Sequence, residues 1–173
     1  MSITPGRMRL PPSISRSPEA QREYEAHDYA KRLAGDESCD MCRLGAEGWT
    51  PKDHIDEQVL SISEQYPDVS VIQNSFPYDS YDGQRIRKHH LLIPLGHVAS
   101  IGLLSQSVRE QYIDLMIRCD EFYDLSVRRT PGNTTTSIPG HLHGHLMQGG
   151  PRIVEFTYNQ AAGIRQIAFE DEV

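Results

Sequence analysis

The clearest feature of the hydrophobic pattern is an amphipathic helix in the second half of the chain. Ser107 and Glu110 match a capping box, in which a serine and a glutamate three residues later satisfy the first amides of a helix. Beyond them, apolar residues recur at the i, i+3, i+4 and i+7 spacing of one helix face: Tyr112, Leu115, Met116, Cys119, Phe122 and Tyr123. The pattern predicts a helix of about five turns. It also predicts that Cys119 is a core thiol rather than a reactive one.

A second, polar helix is predicted near the N-terminus. The run Ser17-Pro18-Glu19 combines an N-cap residue, a proline at the first helical position and an acid in the first turn. The helix is expected to run to about Leu33, within a segment spanning residues 17–35, and to lie on the surface. Residues 1–16, which hold three prolines, predict a flexible N-terminal arm, and residues 36–173 are expected to form the remaining domain.

The strands are predicted from short β-branched or alternating runs. Turn-forming residues predict a loop over residues 74–83, and residues 128–140 predict another. The expected strands are Gln58–Ser63, Val69–Ile72, His89–Pro94, 141–147, 152–158 and 163–168.

Composition narrows the class of protein. A length of 173 residues with 38% hydrophobic and 24% charged residues fits one soluble globular domain. The net charge of −7 disfavours general nucleic-acid binding. No apolar run approaches a membrane span, and the N-terminus lacks the apolar region of a secretory signal. Three cysteines disfavour a disulfide framework, so a reducing cytoplasm is the expected compartment.

The segment "PGHLHGHLMQGG", residues 139–150, concentrates candidate chemistry. In a strand, alternation places His141, His143 and His145 on one face, with neighbours about 6.5–7 Å apart. Leu142 and Leu146 then face the opposite side, where they can pack. Three such histidines suit either metal ligation, as in a cupin-like oxygenase, or catalysis of group transfer. A cupin-like site would need a nearby carboxylate, and the sequence offers none after the histidines until Glu155.

Cys39 and Cys42 form a CxxC pair, which is half of a tetrahedral zinc site. No second CxxC exists, so the remaining ligands should be histidines. A redox role is the rival interpretation, and it would require the pair to open a helix after a strand. The residues alone leave five candidate partners: His54, His89, His90, His97 and His141.

Taken together, these motifs resemble the histidine triad (HIT) superfamily. The run "HLHGHLM" is similar to the signature His-φ-His-φ-His-φ-φ, in which φ is hydrophobic. Residues 74–105, "NSFPYDSYDGQRIRKHHLLIPLGHVASIGLLS", resemble a second family block, and the order of motifs agrees over roughly residues 36–158. The resemblance implies an α+β, HIT-like fold: a mostly antiparallel sheet of about five strands with one long packed helix. The N-terminal helix would be an addition.

The resemblance also implies a role for each candidate residue. In zinc-containing members of the family, a structural zinc is held by residues that correspond to Cys39, Cys42, His97 and His141. The central histidine, His143, would be the nucleophile. His145 would donate hydrogen bonds to the phosphate, with help from backbone amides and from the hydroxyls of Thr135, Thr136 or Ser137. Asn74 would contact the nucleoside, although the same residue also suits an Asx turn.

The function implied is that of a nucleotide hydrolase or nucleotidyltransferase. It would act at an α-phosphate through a covalent nucleotidyl-histidine, on a dinucleoside polyphosphate or a nucleoside phosphoramidate. The family is often dimeric, so a homodimer is allowed, whereas membrane or stable nucleic-acid partners are not expected. The alternatives are a non-catalytic nucleotide-binding or interaction protein with a zinc-stabilised fold and, from a third class, the metal-dependent oxygenase.

Two departures from the family pattern bear on the substrate. Gly144 replaces a hydrophobic residue, an order also seen in hexose-1-phosphate uridylyltransferases, but those enzymes continue with Gln where this chain has His145. That difference favours hydrolysis over sugar-phosphate transfer. The insertion over residues 79–88 carries Arg85, Arg87 and Lys88, and its composition favours a solvated, charged loop. The alternative is that these side chains reach the polyphosphate tail of a substrate.

Overall fold

The computed structural model of the chain describes residues 14–16, 18–33, 39–42, 55–128, 140–159 and 164–170. Its helices are α1 (Pro18–Leu33), α2 (Glu57–Ser63) and α3 (Gln106–Cys119), with a short 3-10 helix at Ile101–Leu103. Its strands are β1 (Ile14–Ser15), β2 (Val69–Gln73), β3 (Ser80–Tyr81), β4 (Gln84–Pro94), β5 (Leu125–Arg128), β6 (Gly144–Asn159) and β7 (Ile164–Phe169).

Two long neighbouring strands, β4 and β6, organise a sheet in which every described pairing is antiparallel. The first part of β4 pairs with β3 and its second part with β2, while its other edge pairs with β6. The start of β6 also pairs with β5, and its far end pairs with β7. The fold is therefore α+β, as predicted. The described sheet has seven strands rather than about five, because short strands are added around the long pair.

Both faces of the sheet are buried where β4 and β6 meet. Helices α2 and α3 cover one face, where Tyr112, Leu115 and Cys119 pack with sheet residues such as Leu92 and Leu146. The other face carries a smaller cluster of Met41, Ile72, Leu91 and Ile93. Cys119 is 1% exposed, so the predicted core thiol is confirmed. Burial raises the pKa of this thiol to about 11, which leaves it protonated at neutral pH.

The predicted strand at Gln58–Ser63 is wrong, because this segment is helix α2. Asp56 caps the helix by accepting a hydrogen bond from the Gln58 amide at 2.9 Å. Val59 and Ser63, four residues apart, then face the interior together. A short apolar run does not by itself distinguish a strand from one buried side of a helix. Here the Asp56 cap identifies the segment as a helix.

The long helix was predicted in the right place but with shifted ends. Its N-cap is Ser105, whose hydroxyl accepts a hydrogen bond from the Val108 amide at 3.3 Å, so the Ser107 capping box does not start the helix. The helix ends at Cys119 after 14 residues, one turn short of the prediction. Phe122 and Tyr123 lie in the following turn but still pack against the core.

The predicted loop over residues 74–83 and the solvated insertion over residues 79–88 are partly wrong. Asp82 and Gly83, with φ of 48° and 77°, form a two-residue turn that joins β3 to β4. Positive φ at both positions is what such hairpin turns require. The insertion thereby extends β4 by five residues before His89, and its arginines pack on the protein: Arg85 lies 4.1 Å from the ring centre of Phe169.

Three further differences concern the number and the extent of the strands. The two segments predicted at 141–147 and 152–158 form one continuous strand, β6, which begins at Gly144. Strand β5 was not predicted. Of the predicted N-terminal arm, Ile14 and Ser15 pair with Tyr81 and Ser80, and residues 1–13 lie outside the described part.

The predicted N-terminal helix is present as α1. None of the described helices combines the length and the apolar character that a membrane-crossing helix needs.

Candidate functional site

Four of the predicted residues form a compact cluster on one side of the sheet. The ligand atoms of Cys39, Cys42, His97 and His141 all lie within 4.8 Å of one another. The Cys39 Sγ atom is 3.3 Å from His141 Nδ1, and Cys42 Sγ is 3.1 Å from His97 Nδ1 and 3.5 Å from His141 Nδ1. A tetrahedral zinc site has sulfur-to-nitrogen edges of about 3.6 Å, as its bond lengths require. The four residues are therefore close enough to bind a metal ion.

The hydrogen bonds of His141 leave its Nδ1 atom facing the two cysteine sulfurs. Its Nε2–H donates to the carbonyl oxygen of Pro94 at 3.0 Å, so the lone pair is on Nδ1, which faces the two sulfurs. Such a hydrogen bond to a backbone carbonyl commonly fixes the tautomer of a metal-binding histidine. Burial lowers the pKa of His141, which keeps the ring neutral. Burial, and then the neighbouring Cys39, raise the pKa of Cys42.

The structure decides among the five candidate histidine partners as far as it describes them. His97 lies in the turn after β4, and His141 precedes β6, so both approach the CxxC pair from the same end of the central strands. His89 and His90 lie elsewhere in β4, and His54 is outside the described residues. Cys39 directly precedes a helical turn at residues 40–42 rather than lying within a loop. The ligand set implied by the family resemblance is the one that comes together.

The other two triad histidines lie beside the cluster and are buried. His143 and His145 are each 7% exposed, and their ring centres are 5.2 Å apart. The Nδ1 atom of His143 is 2.9 Å from the carbonyl oxygen of His141. Because a carbonyl can only accept, Nδ1 carries the proton, and the neutral ring has its lone pair on Nε2. His141 thus contributes its ring to the metal-ligand cluster and its carbonyl to His143.

His145 has the opposite tautomer, which a chain of hydrogen bonds determines. The backbone N–H of Tyr78 donates to His89 Nδ1 at 3.0 Å, so the proton of the neutral His89 ring is on Nε2. That Nε2–H donates to His145 Nδ1 at 2.9 Å. His145 therefore has its own proton on Nε2. We call this chain, from Tyr78 through His89 to His145, the imidazole relay.

His89 and His90 are adjacent in the sequence, and both were candidate partners of the CxxC pair. The structure separates them by strand alternation. His89 lies on the triad face, whereas His90 lies on the opposite face, with its Nδ1 2.6 Å from the hydroxyl of Tyr123. The pairing of Leu91 with His145 and of His89 with Met147 places His89 beside the triad. Identifying it required this register, which the sequence pattern does not contain.

Asn74 forms the Asx turn that was considered for it. Its Oδ1 accepts from the Phe76 amide at 3.0 Å. Its Nδ2 lies 3.1 and 3.3 Å from the two ring nitrogens of His89. The lone-pair directions of the two nitrogens diverge, so a group near both lies against the face of the ring. The predicted substrate-binding residues Thr136 and Ser137 are outside the described part of the chain.

Packing explains why residue 144 is a glycine, independently of the substrate. A Cβ atom added at Gly144 would lie 2.9 Å from the hydroxyl oxygen of Tyr112, on the face covered by α3. The hydroxyl fills the space that a side chain would need. Leu142 and Leu146, which flank Gly144 in the same phase, belong to the core on that face, as predicted. The glycine therefore does not support a comparison with sugar-phosphate transfer.

This packing predicts a measurable coupling. Gly144→Ala is expected to lower the free energy of unfolding by about 1–3 kcal/mol, as overpacking of a core does. In the double variant with Tyr112→Phe the added methyl group has room, so the destabilisation should be smaller than the sum of the single effects. Urea unfolding of the three variants measures this. Gly96→Ala, where an added Cβ meets nothing within 4 Å, is the matched control. Simple additivity would contradict the explanation.

The triad histidines His141, His143 and His145 do not form a single metal site. Among the described residues, the cluster of Cys39, Cys42, His97 and His141 is the only group of three or more potential ligand residues close enough to bind an ion. It includes one triad histidine. The arrangement required by the cupin-like oxygenase is therefore not seen in the part of the chain that the structure describes.

Comparison with known proteins adds two structural similarities. No protein-family model and no curated protein sequence matches the chain. A HIT family hydrolase from Legionella pneumophila Philadelphia 1 is similar over 66% of this chain and 95% of its own, with 15% identity and a TM-score of 0.45. A protein named HTC1 is similar over 79% of this chain and 76% of its own, with 18% identity and a TM-score of 0.42.

Proposed function

We propose that this protein is a HIT-type nucleotide hydrolase or nucleotidyltransferase that reacts at an α-phosphate through a covalent nucleotidyl-histidine on His143. One observation carries the proposal: two adjacent buried imidazoles have opposite tautomers. His143 has a lone pair on Nε2, and His145 has a proton on Nε2. A nucleophile beside a hydrogen-bond donor is the pairing that attack on a phosphate requires.

The first step is displacement at phosphorus. The Nε2 lone pair of His143 forms a bond to the α-phosphorus, and the bond to the leaving group breaks with its electron pair. A polyphosphate leaves as an anion, whereas an amine takes a proton from solvent. The His143 ring becomes positively charged, and its Nδ1–H continues to donate to the His141 carbonyl. His145 donates from Nε2 to a non-bridging oxygen of the phosphate.

The second step releases the nucleotide. Water attacks the phosphorus, the bond from phosphorus to His143 Nε2 breaks, and the electron pair returns to that nitrogen. The proton of the attacking water passes to solvent, so the ring is neutral again. A cationic imidazole is a good leaving group, which makes this step possible without a metal-bound nucleophile. In a transferase an acceptor hydroxyl would replace the water.

For the metal cluster we propose a structural zinc ion held by Cys39, Cys42, His97 and His141. Two sulfurs and two imidazole nitrogens are a donor set that zinc favours, and the Nδ1 lone pair of His141 faces both sulfurs. When bound, the ion would cross-link the CxxC turn to the two ends of the central strands. Four protein ligands leave no open position for a substrate.

The proposed substrates are the two classes that the family resemblance implies. Dinucleoside polyphosphates and nucleoside phosphoramidates both present an α-phosphorus with a displaceable group. Asn74 is half-buried beside His89, and we propose that it contacts the nucleoside. His145 as a donor, in the place of the Gln of uridylyltransferases, favours water as the second nucleophile.

A substrate panel tests the proposal. Wild-type protein is incubated with diadenosine and diguanosine polyphosphates and with adenosine and guanosine phosphoramidates, and product nucleotide is measured by chromatography. Release of the mononucleotide from at least one substrate is the expected result. Tight binding without product would instead favour the non-catalytic nucleotide-binding protein. Neither binding nor turnover would refute both functions.

A further inference from the structure

The segment that precedes α1 packs against the outside of the imidazole relay. Strand β1 pairs with β3, which follows the segment Phe76–Tyr78. The next residue, Arg16, donates from Nε to the carbonyl oxygen of Phe76 at 3.2 Å. Its guanidinium carbon lies 4.9 Å from the ring centre of Tyr78 and 4.5 Å from that of Tyr24 in α1. Arg16 thus contacts two aromatic rings and the backbone of the segment Phe76–Tyr78.

Tyr78 contacts both histidines of the relay. Its ring centre is 4.5 Å from that of His89 and 5.7 Å from that of His145, with an angle of 25° between the planes of Tyr78 and His145. Its backbone amide is also the donor that fixes the His89 tautomer. A displacement of Tyr78 would therefore change two things at once: the stacking on His145 and the hydrogen bond from which its tautomer follows.

Backbone hydrogen bonds hold the two ends of the segment around Tyr78: the Asn74 amide donates to the His89 carbonyl at 3.3 Å, and the Ile86 amide donates to the Asp79 carbonyl at 2.8 Å. Residues 74–79 lie between β2 and β3 and belong to neither strand. The Asn74 side chain caps Phe76, and the Tyr78 amide donates to a side chain rather than to a strand partner. Arg16 contacts the segment at the Phe76 carbonyl and at the Tyr78 ring. The rings of Tyr24 and His27 in α1 lie 5.4 and 5.5 Å from that of Phe76. Burial raises the pKa of the adjacent Asp79 carboxyl, and the charges of Arg85 and Arg16 oppose that rise, which places Arg16 near this acid as well.

We propose that Arg16 is a positioning residue for His145: it holds Tyr78 in place, and Tyr78 holds the imidazole relay. The N-terminal segment thereby becomes part of the site rather than an appendage. The inference rests on the proposed function for its catalytic consequence, but not for its structural one. Lysine can supply a positive charge near the aromatic rings, but it lacks the planar guanidinium that stacks on them and donates from a fixed Nε–H, so it reproduces only part of the role of Arg16.

The first readout is the tautomer of His145, which needs no substrate. Long-range proton–nitrogen correlation spectra of protein labelled in its histidine rings show which nitrogen carries the proton, and His145→Gln assigns the signals. In the wild type, His145 Nδ1 should appear as an acceptor and Nε2 as a donor. Arg16→Ala is expected to give a mixture of tautomers, and Arg16→Lys an intermediate mixture. His89→Leu, whose side chain can neither accept from the Tyr78 amide nor donate to His145, gives the reference for complete loss.

The second readout is catalysis on a substrate that the panel identifies. Arg16→Ala should lower kcat by about tenfold, with KM changed less. A displaced His145 donor stabilises the transition state less well, and this loss is larger than the loss in binding of the substrate. Arg22→Ala, an exposed arginine on α1, is the matched control and should match the wild type in both readouts.

A purely structural role gives a different pattern. If Arg16→Ala lowers the melting temperature but leaves the His145 tautomer as in the wild type, the proposal is overturned. If that variant does not fold, the same comparison is made with Arg16→Lys, and a wild-type tautomer there overturns it equally. A wild type without turnover would refute the proposed function, and the tautomer comparison would still decide the role of Arg16.

Discussion

Turnover by the His143→Gln variant is expected to fall by about 10⁴-fold or more, because glutamine has no lone pair that can replace the imidazole nitrogen as a nucleophile. The glutamine amide can still donate to the His141 carbonyl, so the local backbone should be preserved. The measurement is kcat/KM on the best substrate of the panel, with the melting temperature recorded for each variant.

His90→Gln is the matched control for this loss. It makes the same substitution at a buried histidine of β4 whose ring lies on the opposite face, against Tyr123. Its expected effect is on stability, since a buried hydrogen bond is lost, while kcat per folded molecule stays near that of the wild type. A His143→Gln protein that is folded and turns over substrate as the wild type does would remove His143 from the mechanism.

Replacement of Cys39 by serine should have the largest effect on stability. The wild type is expected to bind one zinc ion per chain, and Cys39→Ser to lose it, because the variant lacks one of four ligands. Binding free energy of a structural metal is also folding free energy, so the loss should lower the free energy of unfolding on the order of 5 kcal/mol or more. Metal content is measured by mass spectrometry of the native protein and by elemental analysis, and stability by chemical denaturation.

The third cysteine provides the control for this experiment. The Cys119 thiol is buried among apolar residues and is not one of the four ligand residues. Cys119→Ser therefore places a polar hydroxyl in the core without removing a metal ligand. It should lower stability but keep the metal. Unchanged stability and unchanged zinc content in Cys39→Ser would show that the four residues do not bind zinc in the way proposed.

Much of the candidate site could be predicted because its motifs are local. Two cysteines three residues apart, and histidines at alternate positions, place donor atoms together whatever the rest of the fold does. Both leucines between and after the histidines pack in the core as the alternation requires. The ligand set was predicted through the family resemblance, and the structure brings its four members within ligand distance.

The parts that were missed depend on contacts between distant segments. His89 and Arg16 reach the site through strand register and through packing of the N-terminal segment, and neither leaves a pattern in its own neighbourhood. The β3–β4 hairpin is different, because its Asp82-Gly83 pair is a strong local signal for a two-residue hairpin turn, although only a loop was predicted there. Helix α2 was mistaken for a strand because its cap, Asp56, lies outside the apolar run.

The most direct test of the central claim is to trap the covalent intermediate. Wild-type protein is mixed with a reactive substrate, quenched in denaturant at alkaline pH, where a phosphorus–nitrogen bond to histidine survives, and analysed by intact and peptide mass spectrometry. We expect a mass increase of one nucleotidyl group, located on His143 and absent from His143→Gln. Steady turnover with no adduct at His143, or with an adduct on another residue, would contradict the account.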